Sequence, residues 1–129
     1  VLFPNARFIN DCLSGESMAE ISWNVFQQIE LRVGTVIDAQ PFPQARNPSY
    51  ILHVDFGSEI GVRKSSAQVT DLYTPETLVG KQVLAVTNLP AKQIGPIKSE
   101  CLITGFHQAD NTVVLAAPEI AVPNGSRLA

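Results

Sequence analysis

The chain is short of the residues that carry most catalysis. It holds two histidines, His53 and His107, and two cysteines, Cys12 and Cys101, among 129 residues. Neither histidine has a second His, Cys or carboxylate at metal-ligand spacing, so no metal and no cofactor is expected. No G-x-S-x-G, Walker or dinucleotide fingerprint occurs. Ser65 and Ser66 have no His nearby in sequence to activate them. Two cysteines give no disulfide framework, and Cys101 lies in an apolar strand where a free thiol packs as a small hydrophobe. No apolar run approaches the roughly 18 residues of a membrane helix, and the N-terminus lacks the order of a secretory signal. The default is therefore a cytoplasmic protein without membrane insertion. Charged residues make up 16% and the net charge is −3. Nucleic-acid binders are usually basic, so the overall balance does not favour RNA, although a local basic patch is compatible with it.

What is present is a pattern of strands. An apolar fraction of 45% over this length is that of one globular domain. Ile29, Leu31, Val33, Thr35 and Ile37 recur at period two and predict a long strand with that face inward. Gly34 falls where the first strand of a small barrel must bend or bulge. Further strands are expected at Tyr50–Phe56, Glu59–Val69, Gln82–Thr87, Glu100–Gly105 and Thr112–Ala117. Ser22 can cap a short helix through Phe26. Thr74-Pro75-Glu76 starts a second, which Gly80 ends. Residues 1–22 read as a leader, either an added or upstream segment before Met18 or an arm that packs on the domain. Residues 23–129 read as one domain. The expected class is all-β: a five-stranded OB-type Greek-key barrel with short helices, an open β-sandwich being the structural alternative.

Three polar stretches stand out from barrel packing. Arg63 to Gln68 is unusually polar, and Lys64, Ser65, Ser66 and Gln68 could hydrogen-bond a backbone or a phosphate; it also reads as a solubilised edge strand. Asn88 to Glu100 is a proline-stiffened loop bearing Asn88, Lys92, Lys98 and Ser99, with Ile94 and Ile97 as apolar tips; it also reads as a connection. Phe42 to Tyr50 carries Arg46 between two aromatics that either stack on a ligand or pack in the core. Trp23 and Phe26, which precede the barrel, are candidate anchors of a homodimer with Ile94 and Ile97, or else plug their own barrel.

Several motifs in order carry a resemblance. Phe26-x-x-Ile29-x-Leu31-Arg32-Val33-Gly34, Leu78 to Val83, Asn88 to Lys92 and Lys98-Ser99-Glu100 resemble the tRNA-binding OB domain found at the C-terminus of methionyl-tRNA synthetases. Within that family, Asp55-Phe56-Gly57, Lys64 to Gln68 and Val122 to Gly125 are most similar to the CsaA branch of export-related chaperones. The tRNA-binding branch usually has a His-Pro-x-Ala-Asp-like turn before its second strand. This chain has Phe42-Pro43-Gln44-Ala45-Arg46, with Phe for the His and a base for the acid. The resemblance implies a non-enzymatic, homodimeric module that binds unfolded or pre-export polypeptide, with tRNA as the alternative ligand.

Overall fold

The computed structural model describes residues 19–128. The expected leader lies mostly outside them, as does Cys12. A five-residue helix, α1 (Trp23–Gln27), begins where the Ser22 hydroxyl accepts from Val25 N. The strands are β1 (Leu31–Pro41), β2 (Tyr50–Asp55), β3 (Val62–Ala67), β4 (Gln82–Val86), β5 (Lys92–Ile94), β6 (Ile97–Ser99), β7 (Leu102–Ile103), β8 (Gly105–His107) and β9 (Val113–Leu115). A second short helix, α2 (Pro75–Leu78), separates β3 from β4. Thr74 and Thr77 cap it reciprocally, Pro75 opens it, and Gly80 follows at φ +94°.

Five strands form one antiparallel sheet in the order β3-β2-β1-β4-β7, which curls into a nearly closed barrel of the OB type. β5–β6 and β8–β9 are separate hairpins. No regular ladder joins β3 to the segment leading into β7. Single hydrogen bonds from backbone and side chains close that seam instead. Glu100 N donates to Lys64 O, and Lys64 N donates to the Glu100 carboxylate. Ser66 N donates to Ser99 Oγ, and the Ser65 hydroxyl donates to Cys101 O at 2.9 Å.

The expected inward face of β1 needs correction. Ile29 is exposed and Ile37 is 49% exposed, whereas Gly34 and Val36 are buried. Two causes act together. The pairing of β1 with β2 shifts between Val36 and Asp38, so Ile37 has no partner on β2 and lies exposed in the irregularity. At Gly34 the core comes too close for a side chain: a Cβ there would lie 2.5 Å from Val54 Cγ1 and 2.8 Å from the Phe56 ring. A one-residue change of face follows from the period of two. Val33, on the expected face, is buried as well; Leu52, Val54 and Val83 are fully buried, while Leu31, Val86 and Leu102 are half-buried at the barrel's margins.

The core is Val36, Leu52, Val54, Phe56, Val69, Leu78, Val83 and Ile103 with smaller neighbours. Each such side chain contributes about 1.5–3 kcal/mol on full burial. The C-terminal stretch takes the place of a neighbouring strand along the first half of β1. Gly125 N donates to Val33 O, Val33 N to Ser126 O, and Leu128 N to Leu31 O. Asn124 Oδ1 fixes this strap by accepting from Thr35 Oγ1 and Gln82 Nε2.

Candidate functional site

A groove of about 550 Å³ opens beside the seam. One wall is the loop between β1 and β2, the other the β5–β6 hairpin and the segment before it. The end of β3 and the residues Ser99, Cys101 and Leu102 line it between them. Pro43 and Pro48 exclude a regular ladder from the first wall. Phe42, only 3% exposed, roots that loop in the barrel, and its N–H donates to Ser49 O. The second wall was expected to be loop and is a hairpin. Gly95 sits at φ +53° before Pro96, the geometry of a tight two-residue turn. That turn rests on the first wall, since a Cβ at Gly95 would lie 3.5 Å from Gln44 O and 3.7 Å from Phe42 Cζ.

Five of the candidate binding residues line this groove: Arg46, Ser66, Gln68, Lys92 and Ser99. Lys92 and Ser99 are cross-strand partners in the hairpin. Lys64 and Lys98 lie off it. Ser65 is 1% exposed, and its hydroxyl serves the seam. Asn88 ties α1 to the barrel: its Nδ2 donates to Gln28 O and its Oδ1 accepts from Glu30 N. Sequence reasoning missed Gln44, Asn47, Leu89, Pro90 and Gln93 as lining residues. Prolines marked both stretches, but nothing in the sequence tells which of their side chains converge.

Neither aromatic flanking the first wall offers a stacking face in the groove. Phe42 is in the core, and the Tyr50 hydroxyl donates to Tyr73 O at 2.8 Å. Cys101 lines the groove as a neutral thiol, because burial pushes its pKa up to about 11. His53 pairs loosely with Asp38 across β1 and β2 at 3.6 Å, and His107 is exposed on β8; neither lines the groove. No three His, Cys, Asp or Glu side chains converge among the described residues. No helix there is long and apolar enough to cross a membrane.

Of the candidate interface residues, Ile94 lines the groove instead and Ile97 is half-buried. Trp23 is 63% exposed, with its ring centroid 5.4 Å from that of the half-buried Phe26, and α1 contributes no buried residue. The two rings therefore do not plug the barrel. Ile21, Val25 and Ile29, on or beside α1 in the chain, are exposed as well.

A small barrel with a mixed polar and apolar groove beside its seam defines a binding module. The chain belongs to the putative tRNA binding domain family, whose model matches residues 31–127. It is 37% identical over 105 residues to the methionine–tRNA ligase of Chlorobium chlorochromatii, covering 81% of this chain and 14% of that protein. The same enzyme of Porphyromonas gingivalis is 31% identical over 109 residues, covering 84% of this chain and 16% of the enzyme. The chain thus spans about a sixth of the length of these curated relatives. The solved structure of the chaperone CsaA from Bacillus anthracis matches with a TM-score of 0.81 and 41% identity over 86% of this chain and 100% of that one. CsaA from Picrophilus torridus gives 0.79 and 38% over 85% and 100%. A MetRS-related protein from Pyrococcus horikoshii gives 0.76 and 27% over 86% and 99%.

Proposed function

We propose that the groove holds an extended, unfolded polypeptide, and that the protein is a non-enzymatic chaperone-type binding module of the cytoplasm. The observation that carries this is the chemistry of the lining. Leu89, Pro90, Ile94 and Leu102 give apolar contact, while Gln44, Asn47, Gln68 and Gln93 can hydrogen-bond peptide groups, and no aromatic lines it among the described residues. Stacking on aromatic faces supplies much of the affinity of single-stranded nucleic-acid sites, and the described residues of this groove offer none. The likeness to two CsaA chaperones over the full length of each supports the same reading. A two-fold homodimer through α1 accompanies it, supported by the exposed Trp23 and the ring of Phe26 beside it.

The family match to a tRNA-binding domain supports the rival ligand. A competition measurement separates the two: tRNA against an unfolded preprotein, repeated at several salt concentrations. The preprotein is expected to bind with a shallow salt dependence and to resist displacement by tRNA. Tight tRNA binding that falls steeply with salt, by about 0.7–0.9 in the log–log slope per phosphate contact, with no preprotein binding, would overturn the polypeptide reading.

A further inference from the structure

β3 is an end strand of the five-stranded sheet, so one of its edges has no ladder partner. Lys64 and Ser66 present their backbone groups to that edge, because alternate residues of an antiparallel strand point them away from the neighbouring strand. The seam covers only part of it. Lys64 O accepts from Glu100 N, Lys64 N donates to the Glu100 carboxylate, and Ser66 N donates to Ser99 Oγ at 3.0 Å. Beyond that point the cover stops. The one proton of the Ser65 hydroxyl goes to Cys101 O at 2.9 Å, which leaves Ser66 O, 3.5 Å from the same hydroxyl, without a donor. Among the described residues, no other hydrogen bond reaches Ser66 O and none involves Gln68 N. Ser66 and Gln68 both line the groove, so the seam opens into it along a stretch of bare strand edge.

We propose that the polypeptide joins this open end of β3 as an added strand, held by backbone hydrogen bonds to Ser66 O and Gln68 N. This rests on the polypeptide reading above and adds the way in which the chain is held. A carbonyl and an N–H two residues apart on one edge are the groups with which a neighbouring strand pairs. Main-chain bonds are common to every sequence, so a site built on them accepts many unfolded chains. Side chains of an added strand alternate between its two faces. One set meets the apolar lining at Leu89, Ile94 and Leu102, and the other points away. A folded protein has its backbone groups paired internally and offers no free extended segment, so the edge discriminates unfolded from folded chains. A nucleic-acid strand lacks the alternating N–H and C=O groups altogether.

A short fluorescent peptide of mixed apolar and polar residues tests this, together with a series carrying one backbone N-methyl group at each successive position. N-methylation removes a donor and leaves every side chain in place. In anisotropy titrations, binding is expected to weaken about tenfold at alternate positions, where the N–H points at β3, and to hold within about twofold at those between. Amide hydrogen exchange on the protein then places the contact. The Gln68 N–H should exchange about tenfold more slowly with the unmethylated peptide bound than without it. Both measurements use the unaltered protein, so no variant has to fold. Equal affinity across the series, or losses at consecutive positions, would overturn strand addition and leave the polypeptide reading standing. A Gln68 amide that exchanges equally fast with and without the peptide would do the same. Binding of no peptide in the series, whether or not an RNA oligonucleotide binds, would overturn both.

Discussion

Gly34→Ala is the sharpest test of how β1 faces the core. The added methyl would sit 2.5 Å from Val54 Cγ1 and 2.8–2.9 Å from two Phe56 ring atoms. Both neighbours are fully buried, so neither can swing into solvent. Overpacking of this kind costs about 1–3 kcal/mol, and two immobile partners argue for the upper end. Replacing glycine also restricts the unfolded chain, which offsets about 0.4–1 kcal/mol. A net loss of about 2 kcal/mol remains, equivalent to a fall in Tm of roughly 8 °C for a domain of this size. Urea unfolding should show a lower midpoint with an unchanged slope, since the surface exposed on unfolding is the same. Adding Val54→Ala should recover part of the Gly34→Ala loss, so the two changes should not add. If Gly34→Ala is as stable as the parent to within about 0.5 kcal/mol, the inward placement of Gly34 is wrong.

Two further outcomes follow from described features. Cys101 has its thiol pKa raised to about 11 by burial, whereas an unfolded thiol loses its proton near 9. The unfolded state therefore releases the proton first, and stability is expected to fall as pH rises from about 9 to 11; in a Cys12→Ser background, Cys101→Ala should remove that part of the decline in denaturant titrations. Truncating both rings of α1, Trp23→Ala with Phe26→Ala, should shift sedimentation toward monomer. A parent already monomeric at micromolar concentration would end the homodimer proposal, and a double variant still fully dimeric would move the interface elsewhere.

Local chemistry was legible in the sequence and long-range partnership was not. α2 could be read because its cap, its opening proline and its closing glycine lie close together in the chain. The strands could be read because their apolar positions alternate. The inward face of β1 could not, since the shift opposite Ile37 depends on register against β2, and the crowding at Gly34 comes from β2 and the residue that follows it. Ser65 and Asn88 looked like ligand contacts because they are polar residues in otherwise unexplained stretches. Their partners, Cys101 O in one case and Gln28 O and Glu30 N in the other, lie 36 and about 60 residues away. The hairpin wall was hidden by Gly95-Pro96, which reads as a break although it makes a tight turn. Arg46, Ser66, Gln68, Lys92 and Ser99 meet because three separate segments fold against one another, and no spacing records that.

The strap along β1 bears on the order in which the protein is made. Arg32 hydrogen-bonds the Gly125 carbonyl across 93 residues of sequence, and Val33 exchanges backbone hydrogen bonds with Gly125 and Ser126. During synthesis, at about 5–20 residues per second, the first half of β1 waits on the order of 5–20 seconds for that partner. Once β4 has been made and has paired with them, Leu31 to Val33 keep a bare strand edge until the strap follows about 40 residues later. A nascent chain in this state offers its edge to a second nascent chain before its own strap arrives, so the strap also serves to cover an edge that would otherwise pair between chains.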